Sequence, residues 1–456
     1  MDLKENKNDL EIEDVSKTET NFRSLYGLTP EVENAISISI ENNNKQELVK
    51  LISPLHPADQ ADMLERLTGE ELVTAISLLG KALDPEVLVY LDQNVQEKVI
   101  DIIGPRALAR AIPVLHSDDA VDILQELEEE ERKVVIKQLP KADRILVEEA
   151  LSFPEESAGR LMQREFLAFP SNWTVGQTID HMRAKPQEEE DSFYSIYVVD
   201  PAHRLLGVIS LSKLLSAKRP VRLKDLMATS PRSVNVQTDQ EEVALLFQQY
   251  GLVDMPVIDN INRLLGVIIV DDIVDVINEE AEEDLQGLTG VSDLSISSSF
   301  IETVKGRFSW LILNMITAIL ASSVIGLFQE EIEKLVALAV LMPIVASMGA
   351  NAGTQTLTVA VRAIAVKELT TSNAIKIITK ETLIGGINGI IFAIIISLIS
   401  IYWFESLMLG FIIGLAMILN LLIAGFSGIA IPLVLDKLKI DPALASAVIL
   451  TTITDV

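Results

Sequence analysis

Residues 342–356 read Met-Pro-Ile-Val-Ala-Ser-Met-Gly-Ala-Asn-Ala-Gly-Thr-Gln-Thr, a glycine-rich segment with amide and hydroxyl side chains. The segment lies inside Leu335–Val361, which contains no charged residue. A helix of that length is long enough to cross a hydrocarbon core of about 30 Å, at about 1.5 Å per residue. Polar or broken backbone at that depth is tolerated only where it packs against protein or lines a watery cavity. The segment therefore predicts a membrane helix with a packing or functional face.

The rest of the C-terminal third also consists largely of long stretches without charged residues. Three further uncharged stretches are Phe308–Phe328, Thr382–Phe404 and Ser406–Leu435. A fifth apolar stretch begins at Pro442 and reaches the last residue, Val456, which is too short to span. We therefore expect a membrane domain at residues 306–456 with four complete helices and the start of a fifth.

The basic residues around these stretches predict their orientation. Those expected on one side are Lys305, Arg307, Arg362, Lys367, Lys376, Lys380, Lys437 and Lys439, whereas Lys334 falls on the other. Because loops rich in Lys and Arg stay in the cytoplasm, the first side is expected to be cytoplasmic. This orientation also places the N-terminal region in the cytoplasm.

Three polar side chains of the second stretch share one side of the predicted helix. Asn351, Gln355 and Thr358 are spaced at i, i+4 and i+7, so we expect them to form a pore or binding face. The small residues around them are also ordinary at contacts between membrane helices. Asp455 is the carboxylate of the fifth stretch, and acids at membrane depth usually mark ion pathways. Composition alone leaves open whether Asp455 lies in such a pathway or near water.

Charge divides the chain into two parts. The 456 residues carry a net charge of −29; residues 1–300 hold 28 basic and 56 acidic side chains, and residues 301–456 hold 9 and 10. The first part is therefore expected to be acidic and water-soluble. Its charge argues against nucleic acid as a partner, because phosphate binding needs clustered Lys and Arg. The lack of cysteine excludes disulfides, thiolate metal sites and Cys nucleophiles.

Residues 31–158 have a helical apolar pattern with short breaks at prolines. Within them, His56–Leu67 is echoed by His116–Leu127, 60 residues later. Such recurrence predicts stacked helical pairs that form a small superhelix. The polar residues 1–30, which lack periodicity, predict a disordered tail.

A second repeat follows, with a strand-like texture. Val198–Ile209 recurs as Val257–Ile268, and both contain Arg-Leu-Leu-Gly-Val-Ile. Each unit predicts strand, turn, strand and helix, since apolar runs flank a tight turn. Two such copies, at residues 159–221 and 222–280, resemble a tandem pair of CBS domains. That resemblance implies a pseudo-symmetric α/β module that often dimerises and can bind adenine nucleotides, with a structural role in dimerisation alone as the alternative. Asp272 matches a position at which many CBS domains hold a ribose, so ATP is a candidate ligand.

An acidic segment leads from this module towards the membrane. Asn278–Leu285 carries five acids in eight residues, which predicts a charged helix, and we assign the connecting helix to residues 281–305. Most charge runs are simply solvated helix faces. Beside a membrane, however, so many like charges repel one another and need bases or cations to offset them.

The order of these parts resembles the MgtE family of magnesium channels over about residues 31–456. The motif at Met342–Gln355 and the ending at Ile440–Val456 are similar to that family's second and fifth membrane helices. The implied fold class is multidomain: an all-α superhelical N domain, an α/β tandem CBS pair, an acidic connecting helix and a polytopic α-helical membrane domain. Two departures stand out. The family's fifth helix continues beyond its acid, so this chain is expected to lack part of the pore, and Ala350 replaces a common glycine.

The resemblance also implies a mechanism. MgtE proteins are homodimers whose pore follows the two-fold axis, where the acid matching Asp455 holds a hydrated Mg²⁺ ion; Asn351, Gln355 and Thr358 would line that pore. Intracellular Mg²⁺ bridges acids and closes the channel in that family. The matching acids here are Asp118, Asp122, Asp272, Asp275, Glu280, Glu283 and Asp284. We therefore expect a Mg²⁺-selective channel for influx across the plasma membrane.

Two other functions are compatible with the sequence. One is a gradient-coupled carrier for another divalent cation, such as Co²⁺ or Mn²⁺. The other is a membrane-bound sensor whose CBS domains read nucleotides and whose helices only anchor it, although Asn351 and Gln355 on one apolar helix argue against a mere anchor. An enzyme is not expected, since the sequence has neither a phosphate-binding loop nor a nucleophile constellation.

Overall fold

The computed structural model describes residues 28–184, 193–290, 300–370 and 372–456. The predicted disordered tail lies outside the described residues except for its last three, where Thr29 accepts a hydrogen bond from Val32 and caps a helix that begins at Pro30. Two compact units divide the chain, Met1–Val274 and Asp275–Val456, and the boundary between them falls within a helix.

The first unit opens with a run of short α-helices. They are α1 (Pro30–Glu41), α2 (Lys45–Ile52), α3 (Pro57–Glu65), α4 (Gly69–Leu79), α5 (Gln93–Ile103), α6 (Pro105–Ala111), α7 (Ser117–Gln125), α8 (Glu129–Gln138) and α9 (Lys141–Ala150). The two echoed sequences form α3 and α7, each preceded by an extended histidine, His56 and His116. Apolar residues along the whole run, such as Leu48 and Leu124, are fully buried in one core. The all-α N domain predicted from the sequence is therefore confirmed.

The CBS-like repeats form two small sheets. The strands are β1 (Ala168–Pro170), β2 (Ser195–Val199), β3 (Leu205–Ser210), β4 (Ala228–Thr229), β5 (Val234–Asn235), β6 (Asp254–Ile258) and β7 (Leu264–Ile269). The helices are α10 (Ala158–Leu161), α11 (Val175–Ala184), α12 (Leu211–Ser216), α13 (Leu223–Leu226) and α14 (Gln240–Tyr250). One sheet has the order β1-β2-β3-β4 and the other β5-β6-β7; in each, the first pairing is parallel and the next antiparallel.

The two repeats contact each other with pseudo-two-fold symmetry. The Leu205 N–H donates to the Asn262 carbonyl and the Leu264 N–H to the His203 carbonyl, both at 3.0 Å. The repeated glycines also have equivalent surroundings: a Cβ on Gly207 would lie 2.8 Å from the Met227 sulfur, and one on Gly266 would lie 2.7 Å from the Met162 sulfur. Glycine is required at both positions because a methionine fills the space of a side chain. The predicted α/β pair is thereby confirmed.

Long apolar helices dominate the second unit. The helices from the unit boundary onwards are α15 (Val270–Thr289), α16 (Phe300–Gly326), α17 (Gln329–Lys334), α18 (Val336–Ala365), α19 (Ala374–Phe404), α20 (Leu407–Lys437) and α21 (Pro442–Asp455). In the described part of the chain, four of them are long and apolar enough to cross a membrane, namely α16, α18, α19 and α20. This confirms the predicted membrane helices. The predicted connecting segment 281–305 overlaps α15 and the start of α16, and its residues 291–299 lie outside the described residues.

Close backbone contacts hold the apolar helices together. A Cβ on Gly385 of α19 would lie 2.4 Å from the Leu421 carbonyl oxygen of α20. α20 also contacts α18: the Asn420 amide donates to the Val345 carbonyl at 2.8 Å, and Gly349 leaves the space that this amide occupies. Small residues allow these helices to approach until polar groups meet, as is usual in membranes.

Candidate functional site

Two acids that are distant in the sequence meet in the first unit. Asp118 is the second residue of α7, and Asp272 is the third residue of α15, directly after β7. Burial, followed by the charge of Asp118, raises the pKa of Asp272 to about 9. Burial and the charge of Glu165 raise the pKa of Asp118 to about 7, although hydrogen bonds from the Asp119 backbone and Asp272 oppose this. The two carboxyl groups form what we call the acid pair.

The local structure partly stabilises the negative charge of both acids. Each lies in the first turn of a helix, where unpaired N–H groups and the helix dipole favour negative charge. Asp118 Oδ1 also accepts a hydrogen bond from the Asp119 N–H at 3.0 Å. Even so, Asp118 is only 9% exposed, so its charge has little contact with water. The acid pair is therefore a buried site at which a positive charge would stabilise the ionised carboxylates.

The acid pair fits a divalent cation. Asp272 Oδ2 is buried and has no hydrogen-bond partner, which costs free energy unless a ligand reaches it. Mg²⁺ is commonly held by one or two carboxylates while it retains several waters. Within the residues that the structure describes, no three His, Asp or Glu side chains converge closely enough to enclose an ion by themselves. Asp118 and Asp272 would thus bind a hydrated ion.

Asp119 and Glu165 belong to the surroundings of the acid pair, and sequence reasoning missed both. Burial and then the charge of Asp118 raise the pKa of Asp119 to about 7, and the charge of Asp122 adds to this. Asp119 directly follows a predicted ligand, which was a usable signal. Glu165 approaches from outside the helical domain, 47 residues after Asp118, so only the fold places it there.

The remaining predicted sensor acids take different positions. Asp122, Asp275 and Glu283 are exposed, whereas Glu280 and Asp284 are partly buried on α15. Asp122 accepts a hydrogen bond from the Gln125 amide at 2.8 Å. The structure therefore brings Asp118 and Asp272 together and places Asp122 one helical turn from Asp118.

A second pair of acids lies in the second unit. Burial and then the charge of Asp441 raise the pKa of Asp284, which lies on α15. Asp441 is the N-cap of α21, and its Oδ1 accepts a hydrogen bond from the Ala443 N–H at 2.7 Å. Sequence reasoning missed Asp441, although Asp followed by Pro is a common helix start. The predicted site residue Asp284 thus faces an acid at the beginning of the helix that carries Asp455.

The predicted pore residues share one side of α18. Asn351, Gln355 and Thr358 are all exposed, whereas Gly353 and Leu357 are buried on the opposite side. That buried side contacts α21, because Gly353 leaves the space that the Leu450 side chain fills. Asp455 lies exposed at the end of the same helix, five residues after Leu450. The helices that carry Asn351 and Asp455 therefore pack directly on each other.

Family models match most of the chain in the order seen in the fold. A model described as MgtE intracellular N domain matches residues 55–156, and a model described as CBS domain matches residues 158–219 and 223–279. A model described as MgtE, divalent cation transporter, matches residues 342–456. The N domain, the CBS repeats and the apolar helices thus correspond to one known arrangement of parts.

Curated relatives and a solved structure agree with these matches. The magnesium transporter MgtE of Enterococcus faecalis is 35% identical over 309 residues, which is 68% of each chain. That of Thermus thermophilus is 30% identical over 424 residues, or 92% of this chain and 94% of the relative. A crystal structure of the cytosolic domain of the Mg²⁺ channel MgtE in complex with ATP is 31% identical, has a TM-score of 0.50, and covers 54% of this chain and 99% of that chain. The chain therefore belongs to the MgtE family of magnesium transporters.

Proposed function

We propose that this transporter is a Mg²⁺-selective channel that mediates Mg²⁺ influx and closes when cytosolic Mg²⁺ binds its acidic sites. The acid pair carries the proposal, because it joins the helical domain to the second CBS repeat through two carboxylates that repel each other when ionised. A divalent ion offsets that repulsion and so favours the packed arrangement through differential binding.

The acids of the second unit would provide a second regulatory site. Asp284 faces Asp441 at the start of α21, the helix that ends at Asp455. A cation between these two acids would hold α15 against the first turn of that helix. The exposed acids Asp275 and Glu283, together with Glu280, would attract the ion to this site, and Asp122 would do the same for the acid pair.

For the pore, we assign the role of ion ligand to Asp455 and the role of lining to Asn351, Gln355 and Thr358. Two copies of the chain would supply one Asp455 each around a hydrated Mg²⁺ ion, which makes the working unit a homodimer. Hydrated Mg²⁺ suits this arrangement, since the ion gives up its waters reluctantly and needs few direct ligands. Carboxylate and amide oxygens also suit Mg²⁺ better than soft metals.

ATP is a proposed regulatory ligand at the CBS repeats. The related cytosolic domain of known structure was crystallised in complex with ATP. Asp272 is the candidate ribose ligand, but the same residue forms the acid pair with Asp118. Nucleotide and Mg²⁺ would therefore influence each other through Asp272.

We assign the protein to the plasma membrane, with the N-terminal domains in the cytoplasm. The positive-inside rule places the basic loops and the acidic domains on that side. The related domain of known structure is likewise described as cytosolic. A regulatory site in the cytoplasm would then sense the concentration that the channel itself raises.

Flux of Mg²⁺ into liposomes tests this function. The full-length protein and Asp455→Ala would be compared at low and high Mg²⁺ on the cytosolic face. We expect flux that requires Asp455 and stops at high Mg²⁺. Absence of flux from correctly folded protein would instead favour the sensor function, in which the helices only anchor the protein.

The same liposomes distinguish a channel from a carrier. Equal flux of Co²⁺ or Mn²⁺ and dependence on a second ion gradient would indicate a gradient-coupled carrier of broader selectivity. Flux that follows the membrane potential and favours Mg²⁺ supports the channel.

A further inference from the structure

The segment Gln163–Glu165, between the helical domain and the first sheet, contacts three parts of the first unit. The Gln163 N–H donates to the Val267 carbonyl of β7 at 2.9 Å, and the Val267 N–H donates back at 3.0 Å. Arg164 Nη1 donates to the Leu265 carbonyl of the same strand at 3.1 Å, and Nη2 lies 3.4 Å from Glu149 Oε2 on α9. This short segment therefore joins the second CBS repeat to the helical domain.

Glu165 extends the connection to α7. Its Oε2 accepts hydrogen bonds from the Ser117 hydroxyl at 2.8 Å, the Ser117 N–H at 3.3 Å and the Arg164 N–H at 3.0 Å. The Ser117 hydroxyl also accepts from the Arg164 N–H at 2.7 Å. Glu165 thus caps the first turn of α7, one residue before Asp118. Such a cap satisfies a helix N–H that has no partner within the helix.

A partly open pocket lies beside this segment. A cavity of about 80 Å³ borders Ser117, Arg164 and Glu165 and is otherwise lined largely by apolar residues such as Leu115 and Val147. Beside this pocket, the hydrogen bonds of Arg164 and Glu165, together with the Gln163–Val267 pair, link α7 to β7.

We propose that Arg164 and Glu165 form a strut that sets the separation of Asp118 and Asp272, and so the affinity of the acid pair for Mg²⁺. Asp118 follows Ser117, which Glu165 holds, and Asp272 follows β7, which Gln163 and Arg164 hold. Both residues of the strut are positioning residues, because neither needs to touch the ion. The proposal rests on the proposed function, in that the acid pair must bind Mg²⁺.

Three substitutions distinguish an effect of the position of the Glu165 carboxylate from an effect of its charge. Glu165→Gln removes the charge but keeps an acceptor oxygen at the same reach, whereas Glu165→Asp keeps the charge and loses the reach. Ser117→Ala removes only the hydroxyl link. Glu148→Asp is the matched control, since Glu148 is an exposed residue on α9. The measurement is the Mg²⁺ concentration that half-saturates the rise in melting temperature of the full-length protein in detergent, beside its melting temperature in EDTA.

We expect Glu165→Asp and Ser117→Ala each to raise the half-saturating concentration by about fivefold, the loss that corresponds to one hydrogen bond. Glu165→Gln and Glu148→Asp should remain within about twofold of the unchanged protein. The opposite order would be a raised half-saturating concentration in Glu165→Gln and an unchanged one in Glu165→Asp. It would mean that Glu165 acts through its charge, and it would overturn the proposed strut. Unchanged values in every variant would also overturn it. If the unchanged protein itself gains no stability from Mg²⁺, the proposed regulatory site fails, and the strut fails with it.

Discussion

At the scale of single residues, burial distinguishes the acid pair from the many other acids of the chain. The chain has 66 Asp and Glu side chains, and most of those in the described residues are exposed to water, where an extra carboxylate costs little. Asp118 and Asp272 differ because they lose water and face each other, which favours the protonated form of both. Under the proposed function, a proton and a magnesium ion would therefore compete for the acid pair.

This competition predicts a pH dependence. A carboxyl whose pKa is raised in the folded state binds its proton more tightly there than in the unfolded state, so it stabilises the fold at low pH. That stability is lost as the pH rises through the folded values, about 7 for Asp118 and about 9 for Asp272. In EDTA, we expect the melting temperature of the full-length protein to fall between pH 6 and pH 9.

Two controls make this measurement specific. Saturating Mg²⁺ should flatten the pH dependence, because the ion replaces the proton. Asp118→Asn should make the fall shallower without Mg²⁺, since one titrating carboxyl is gone and the charge that raises the pKa of Asp272 is lost with it. An equally steep fall in Asp118→Asn would assign the pH dependence to other groups.

At the scale of elements, glycines set how closely the membrane helices approach. Gly385 of α19 lies against the backbone of α20, whereas a Cβ on Gly326, the last residue of α16, would meet no atom within 4 Å. The same residue type is therefore essential to packing at one position and dispensable at the other.

Alanine substitutions should show this difference. Gly385→Ala forces α19 and α20 apart, because the added Cβ would lie 2.4 Å from a backbone oxygen that cannot rotate away. We expect a loss of about 1–3 kcal/mol of stability, seen as a lower melting temperature in detergent. Gly326→Ala should leave the melting temperature unchanged or raise it slightly. Equal effects of the two substitutions would contradict the close contact.

The two acids Asp284 and Asp441, which meet at the start of α21, predict an effect on inhibition by cytosolic Mg²⁺. Asp284→Asn removes one acid of the pair with Asp441, and Glu282→Gln removes an exposed acid of the same helix. We expect Asp284→Asn to raise by at least about fivefold the cytosolic Mg²⁺ concentration that halves the current in membrane patches, as the loss of a carboxylate ligand would. Glu282→Gln should have a much smaller effect. Similar shifts in both would indicate that only total charge matters.

At the scale of the whole molecule, the architecture could be predicted from the sequence because each part has its own pattern of apolar and charged residues. The repeat containing Arg204 and Arg263 predicted the pseudo-symmetric sheets, and uncharged stretches predicted the membrane helices. The candidate site was less predictable. Nothing in the local sequence of Glu165 or Asp441 shows that it faces another acid, since only tertiary packing brings such residues together.

The distribution of charge gives the molecule its proposed mechanism. Residues 1–300 hold 28 basic and 56 acidic side chains, while residues 301–456 are nearly balanced. An acidic region of this kind attracts divalent cations over a distance of about 10 Å at ordinary ionic strength. In the proposed mechanism, the buried acid pair would convert this attraction into a structural change, because a bound ion or a proton relieves the repulsion between its carboxylates.

Current through inside-out patches would show whether the acid pair closes the channel. Mg²⁺ current would be recorded from the full-length protein and from Asp272→Asn while Mg²⁺ on the cytosolic face is raised. We expect the unsubstituted protein to close as cytosolic Mg²⁺ rises, and Asp272→Asn to need at least about tenfold more Mg²⁺ to close, with the same current at low Mg²⁺. Identical inhibition of both proteins, or a current in the unchanged protein that ignores cytosolic Mg²⁺, would contradict it.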